Sequence, residues 1–149
     1  MIEIQNNFPD TFNIDTSFLK QAAQLTLSHL DKPEMDITLR LTNDSEMRQL
    51  NQTFRGIAET TDVLAFNQNE IDPETNRLYL GDIIISTECT AKQAMDEGHP
   101  LDHEAAILVI HGTLHLLGYD HAEPEQKNEM WKVQKEIFKR LIKQTGGKI

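Results

Sequence analysis

The chain has 149 residues, enough to bury an apolar core without disulfides or a structural metal, and we expect a single domain over residues 1–149. Its one cysteine, Cys89, excludes an intramolecular disulfide and is typical of a reducing compartment. The net charge of −10 argues against a general affinity for nucleic acid, because phosphate binding depends on lysine and arginine.

The sequence also carries no pattern of a secreted or membrane protein. Its first residues, Met1-Ile2-Glu3-Ile4-Gln5, lack the basic and apolar regions of a signal peptide. The longest uninterrupted apolar run, over 105–110, is too short to span a bilayer. We therefore expect a cytoplasmic protein with no membrane partner.

Strand and helix patterns alternate along the chain. In order, they predict an edge strand over 2–5, a helix from 15 or 16 that ends before Pro33, a strand over 35–41, a helix over 46–54, strands over 62–66 and 78–86, and helices over 88–97, over 101–117 and from Pro124. A polar loop is predicted over 68–77 and a frayed end over 145–149. The pattern indicates an α+β or α/β layered domain, in which about five helices cover mainly one face of a four-stranded mixed sheet.

The most informative stretch is His111-Gly112-Thr113-Leu114-His115-Leu116-Leu117-Gly118-Tyr119-Asp120-His121. On a helix, His111 and His115 lie one turn apart on the same face, where two imidazoles reach one metal ion. Gly118 ends the helix, and the turn that follows brings His121 back toward the other two. Three protein ligands with a fourth position open are typical of a catalytic zinc site. The sequence therefore predicts a metal site at the end of a central helix.

The helix that carries the first two histidines is predicted to be amphipathic, with Asp102 as a candidate N-cap. Its apolar positions recur every three or four residues at Ile107, Ile110, Leu114 and Leu117. His111 directly follows Ile110 and His115 directly follows Leu114, so both histidines border the buried stripe. The remaining histidines, His29, His99 and His103, are interpreted as satisfied core residues.

The spacing His-x3-His-x5-His is shared with the metzincin zinc peptidases, but Gly112 stands where their general-base glutamate follows the first histidine. The full string instead resembles the signature of the YbeY family, bacterial single-strand-specific endoribonucleases associated with ribosomal RNA maturation and ribosome quality control. Leu50-Asn51, Arg55 and the run Thr-Asp-Val-Leu-Ala-Phe over 61–66 match a second motif of that family. Leu80-Gly81-Asp82-Ile83 matches a third.

The three motifs follow in order along most of the chain, so the resemblance covers its full length. Two positions depart from the family pattern, since Thr60 replaces a usual proline and Ala65 a usual serine. The resemblance implies that His111, His115 and His121 hold one divalent metal ion, with zinc preferred and nickel also suited to imidazole ligands.

The resemblance further implies catalytic roles for Arg55 and His115, with Arg55 holding the substrate phosphodiester. The implied partners are single-stranded RNA, 16S ribosomal RNA in particular, and the ribosome or its small subunit, with no DNA expected. Asp120 either orients a ligand histidine or is a turn residue. The basic residues of the final helix either guide RNA or form an ordinary solvated face; they are Lys132, Lys135, Lys139 and Lys143.

Two other functions remain open from the sequence. The first is a metallohydrolase of another substrate class, such as a peptidase, which rests on the zinc spacing alone. The second is a metal-stabilised, ribosome-associated factor with little catalysis of its own, with which the acidic composition and the lack of an evident general base are compatible.

Overall fold

Four strands and five helices alternate along residues 1–146, the part of the chain that this computed structural model describes. In chain order they are β1 (Ile2–Asn6), α1 (Thr16–His29), β2 (Met35–Thr42), α2 (Asp44–Arg55), β3 (Val63–Ile71), β4 (Leu78–Ser86), α3 (Thr87–Glu97), α4 (Leu101–Leu116) and α5 (Pro124–Gln144). Fraying was predicted over 145–149. Thr145 and Gly146 instead form a turn hydrogen-bonded to the end of α5, and residues 147–149 lie outside the described residues. Among the helices described, none has the length and apolar character needed to cross a bilayer.

The strands form one mixed sheet in the order β1-β2-β4-β3. β1 and β4 both run parallel to β2, whereas β3 runs antiparallel to β4. The predicted α+β class, the four-stranded mixed sheet and the five helices are therefore confirmed. β1 is an edge strand, as its weak alternation predicted.

The two faces of the sheet are covered unequally. On one face, Ile37, Leu39, Ile83 and Ile85 are at most 1% exposed and belong to the main core with residues of α1, α4 and α5. The opposite face has only a small core, formed where Met47 of α2 packs with Leu64 and Ile84. This confirms helices mainly on one face, and it leaves part of the other face open.

The prediction of a polar loop over 68–77 is wrong in its first part, because β3 continues to Ile71. Glu70 and Ile71 pair with Tyr79 and Leu78, and a short turn over 72–77 closes the hairpin. The Arg77 guanidinium pairs with Asp36 of β2 at 2.7 Å and holds this end of the hairpin to the sheet. Both faces of β3 are exposed here. Main-chain pairing therefore forms the strand without an apolar pattern that would predict it.

Helix α4 is buried around most of its circumference and not, as the amphipathic pattern had predicted, along a single stripe. Ala105, Ala106, Val109, Ile110 and Leu114 are fully buried, and buried residues surround most of its circumference. The predicted stripe is thus only part of a helix that packs against both the sheet and other helices.

The predicted N-cap of α4 is also wrong. Pro100 occupies that position and makes no side-chain cap hydrogen bond. The carboxylate of Asp102 instead accepts the main-chain N–H of Asp15, which is the N-cap of α1. Asp102 therefore connects the N-terminal ends of two helices.

Gly81 marks a close approach between β4 and β3, since a Cβ there would lie 2.2 Å from the Phe66 carbonyl oxygen. We expect Gly81→Ala to lower the free energy of unfolding by about 3 kcal/mol or more, the upper end of overpacking costs, because main-chain atoms must move. Urea denaturation measures the change. Gly56→Ala is the control: Gly56 has φ +70° and nothing within 4 Å of an added Cβ, so it should cost only about 1 kcal/mol of strain. Equal losses in both variants would contradict the clash.

Candidate metal centre

The end of α4 and the turn after it bring three histidines together. His111 and His115 lie on the last turns of the helix, and Gly118 follows with φ +101°. The Tyr119 N–H bonds back to the Leu114 carbonyl at 3.0 Å, which directs the chain toward His121. One ligand atom from each of the three histidines lies within 4.8 Å of the others. The proximity predicted from the spacing is therefore present.

A residue that the sequence did not indicate orients the first of these histidines. Nδ1 of His111 lies 3.0 Å from Oε1 of Gln134 on α5. An amide oxygen only accepts, so Nδ1 carries the proton and Nε2 is left with a lone pair for a metal. In the sequence, Gln134 is only a polar residue next to the core position Val133. Many helix residues share that pattern, so it could not predict a contact with His111.

The electrostatic environment suits metal binding. Burial lowers the pKa of His111 below its usual range, and the nearby imidazole of His121 lowers it further. Burial likewise lowers the pKa of His115, with additional contributions from His111 and His121. Metal ions bind neutral imidazole, so both side chains are held in the required form at neutral pH.

We expect Gln134→Ala to weaken metal binding about 10- to 100-fold, as is usual when the partner of a ligand histidine is removed. Gln134→Glu, which keeps an acceptor at the same place, should retain most of the affinity. Competition with a chromophoric chelator measures both. Gln144→Ala is the matched control, since Gln144 is an exposed glutamine on the same helix. An affinity unchanged by Gln134→Ala would contradict the orienting role.

The metal-free protein should lose stability as pH falls from about 7 to 5. An unfolded histidine titrates near 6.5, and the folded-state pKa values of His111 and His115 are lower. The unfolded state therefore binds more protons in this window, so stability present above about 6.5 is lost as pH falls through it. Urea denaturation at several pH values measures the slope. His111→Gln should flatten it, because one of the two groups with a lowered folded-state pKa is then gone; a slope equal to that of wild type would contradict the assignment.

Asp120 has the role of a turn residue in the structure. Its carboxylate accepts the main-chain N–H of His121 at 2.7 Å, which stabilises the turn that places this histidine. Within residues 1–146 it makes no hydrogen bond to a histidine ring. Of the two interpretations of Asp120, the contact favours the turn, and the orienting contact belongs to Gln134.

A cavity of about 660 Å³ opens onto the three histidines, and Arg55 and Asp62 also line it. Arg55 is the last residue of α2, which ends because Gly56 takes the left-handed conformation with φ +70°. Asn51 then holds the loop after the helix, since its side-chain amide donates to the Glu59 carbonyl at 2.8 Å. Arg55 is exposed and makes no ion pair within the described part of the chain. Its charge is therefore available to a ligand in the cavity.

β3 forms the wall of this cavity opposite α4. Its residues 63–67 all line the cavity, and β3 pairs only with β4 among the strands described. The side-chain amide of Asn67 donates to the Leu116 carbonyl at 2.8 Å and fixes the strand to the end of α4. The carboxylate of Asp62 accepts a hydrogen bond from Gln93 at 3.1 Å.

The packing around Gly112 leaves no room for the general-base glutamate that zinc peptidases have at this position. A Cβ at this position would lie 2.9 Å from Ile83 of β4, because α4 rests directly on the sheet there. A glutamate at 112 would therefore require Ile83 or the helix to move. The peptidase alternative therefore conflicts with the packing of the central helix.

The model of the family described as Endoribonuclease YbeY matches residues 3–142. The chain belongs to this family. Three relatives named Endoribonuclease YbeY illustrate the similarity. The protein of Persephonella marina is 39% identical over 130 residues, covering 87% of this chain and 85% of the relative. That of Heliobacterium modesticaldum is 40% identical over 132 residues, with 81% and 80% covered. That of Mycolicibacterium gilvum is 34% identical over 149 residues, with 95% and 83% covered.

A solved structure resembles the fold over nearly the whole chain. It is the solution structure of TM1509 from Thermotoga maritima, with a TM-score of 0.66 and 27% sequence identity. The match covers 97% of this chain and 91% of that protein.

The two departures from the YbeY pattern lie close to the cavity. The hydroxyl of Thr60, at the usual proline position, bonds the Asp44 carboxylate at 3.2 Å and so ties the loop to the start of α2. Ala65, at the usual serine position, lines the cavity itself. A serine hydroxyl would therefore have faced the site, and this YbeY-family chain lacks it.

The other histidines lie away from the cavity. His103 packs near the rings of Phe18 and Phe138, as expected of a structural histidine. The interpretation of His99 as a core residue is wrong, since it is exposed and lies 3.4 Å from the Glu97 carboxylate. Glu97, His99 and the buried Glu104 form a second group with ligand atoms within 4.8 Å.

Proposed function

We propose that this chain is a single-strand-specific, metal-dependent endoribonuclease that acts on ribosomal RNA in 16S maturation and ribosome quality control. The observation that carries the proposal is the set of three clustered histidines in one cavity with an exposed arginine that makes no ion pair among the described residues. Relatives that match more than 80% of the chain are named endoribonucleases. Single-stranded RNA and the ribosome or its small subunit are the proposed partners, and the cytoplasm, which the lone Cys89 also suits, is the proposed location.

His111, His115 and His121 are the proposed ligands of one divalent ion. Three imidazole nitrogens suit zinc best, and nickel also prefers such ligands. The fit rests on the lowered pKa values of His111 and His115 and on the Gln134 contact that leaves Nε2 of His111 free to bind. When bound, the ion supplies Lewis acidity at a phosphoryl oxygen and makes a bound water more acidic.

Arg55 is the proposed phosphate-binding residue. Its guanidinium offers paired donors to a phosphodiester and stabilises the negative charge that grows in the transition state. Its position at the end of α2 places it on the wall of the cavity that the three histidines also line. His115 is the second residue on which we expect cleavage to depend. Its ring lies next to those of both other proposed ligands, so its loss would break up the set.

The basic residues of α5 are proposed to attract RNA at long range. Lys132, Lys135 and Lys139 are exposed and lie outside the cavity that holds the histidines. They counter part of the −10 net charge on the same helix that supplies Gln134. Such attraction weakens with added salt, since it depends on counterion release.

The test is cleavage by the purified, metal-loaded protein of three matched substrates: single-stranded ribosomal RNA, the same sequence as a duplex, and the same sequence as DNA. We expect cleavage of the single-stranded RNA alone, loss of activity after chelation and recovery on adding zinc. A 2′,3′-cyclic phosphate at the cleaved ends would identify the RNA's own 2′-hydroxyl as the nucleophile. Absence of cleavage together with tight ribosome binding would favour a non-catalytic factor, and casein cleavage would favour a peptidase.

A further inference from the structure

A second cavity lies on the face of the sheet that α1, α4 and α5 leave uncovered. Its volume is about 550 Å³, within the range of roughly 300–1,000 Å³ typical of small-molecule sites. Side chains of β2, β3 and β4 and the end of α2 line it, among them Thr38, Arg40, Phe54, Phe66, Tyr79 and Asp82. The roles proposed above for Arg55 and the histidines do not involve this cavity.

The second cavity adjoins the one that holds the histidines. Phe54, Phe66 and Asn67 line both. Phe54 also directly precedes Arg55 on the last turn of α2. The residue next to the proposed phosphate-binding arginine therefore lines the second cavity.

Phe54 provides an unusual aromatic surface at this junction. Its side chain is 63% exposed, and its ring centroid lies 5.1 Å from that of Phe66 at an interplanar angle of 56°. The two rings form a wall with one face open to solvent. Aromatic side chains in this setting stack on nucleobases with little regard to sequence, because every base has a π-face.

The wall beyond the aromatic pair is polar. Nε of Arg40 is buried and lacks a hydrogen-bond partner within the described residues, although Nη2 lies 3.6 Å from Glu46. The Arg40 side chain as a whole is 31% exposed and lines the cavity, so its guanidinium offers other N–H donors to a ligand. The Tyr79 hydroxyl is hydrogen-bonded to Asp82, and Gln68 donates to the other oxygen of that carboxylate at 3.2 Å. Donors and acceptors are therefore both present for the edge of a base.

We infer that the second cavity binds one unpaired nucleotide of the RNA, adjacent to the cleaved phosphodiester, with its base against Phe54 and Phe66 and its edge toward Arg40. The inference rests on the proposed nuclease function and names a positioning site for its substrate. It also gives a physical reason for single-strand specificity, because bases in an RNA duplex are paired and stacked and cannot enter.

The first test compares three replacements of Phe54 in the metal-loaded protein. Phe54→Ala should raise KM for single-stranded RNA about 5- to 100-fold, the equivalent of one lost stacking contact. Phe54→Trp should stay near wild type because it restores the aromatic face, whereas Phe54→Leu, apolar but without that face, should resemble alanine. Trp131→Ala is the control, since Trp131 is an aromatic residue 52% exposed that lines neither cavity.

The second test removes the base instead of the side chain. A series of RNA oligonucleotides, each with one abasic nucleotide, should show a loss of binding at one position next to the cleavage site in wild type. In Phe54→Ala the same abasic change should cause no further loss, because the two partners of one contact are not independent.

The outcomes separate this inference from the function on which it rests. Wild-type protein that neither binds nor cuts single-stranded RNA contradicts the nuclease proposal itself. Wild type that cuts RNA, with Phe54→Ala equally active or Phe54→Leu fully functional, contradicts only the base-binding cavity. An abasic effect that is identical in wild type and Phe54→Ala also overturns it.

Discussion

Replacing Arg55 with alanine should lower kcat/KM for single-stranded RNA by about 10²–10³-fold, the usual cost of removing one group that stabilises transition-state charge. The fold and the metal content should not change. Arg55 is exposed at the end of α2 and makes no ion pair within residues 1–146, so its removal leaves no buried partner behind. The free energy of unfolding should therefore stay within about 0.5 kcal/mol of wild type.

Two further variants separate the geometry of Arg55 from its charge. Arg55→Lys keeps a cation but loses the planar fork, so we expect only partial recovery. Arg48→Ala removes an exposed arginine from the same helix, at a position that lines neither cavity. If Arg48→Ala lost as much activity as Arg55→Ala, the effect would be one of overall charge. Wild-type activity in a folded Arg55→Ala protein would remove Arg55 from the mechanism.

Local sequence signals predicted the elements well where a local interaction sets them. Asp15 begins α1 by accepting the Phe18 N–H, and Gly98 ends α3 in the left-handed conformation. The three histidines are also a local feature, since a helix and one turn suffice to bring them together. Sequence patterns spanning about ten residues were therefore enough to predict these helix ends and the histidine cluster.

The failures involve interactions that the local side-chain pattern does not record. The outer part of β3 is paired through its main chain with β4, which polar side chains do not reveal. α4 is buried on most sides because several elements meet on it, so a stripe of apolar residues understated its burial. Gln134 reaches His111 across 23 positions of sequence, and no spacing rule relates them.

The location of Arg55 is an intermediate case. Its pattern alone, a cation at a helix end before a loop, is typical of a solvated residue. The family resemblance placed it near the metal ligands, and the structure puts it on the wall of their cavity. Its catalytic role stays a prediction, as does the set of metal ligands.

His115→Ala should abolish both metal binding and RNA cleavage. His115 lies between the other two ligands in the sequence, with ring centroids 4.7 Å from His111 and 5.1 Å from His121. Its loss leaves two proposed ligands on separate segments, and one of them, His121, is exposed. Two such ligands should bind the ion too weakly for the purified protein to retain it. Because the ion contributes several kcal/mol to the transition state, we expect cleavage to fall roughly 10³-fold or more. Elemental analysis of the purified variant and the cleavage assay measure the two effects.

Comparing His115→Ala with Arg55→Ala separates metal binding from phosphate binding. Arg55→Ala should be metal-loaded and slow, whereas His115→Ala should be metal-free and slow. The double variant should be little slower than His115→Ala alone, because residues that act on one transition state are not additive. His99→Ala, at an exposed histidine outside the cavity, controls for the loss of an imidazole. A metal-free His115→Ala protein that still cuts RNA at the wild-type rate would show that cleavage does not depend on this centre.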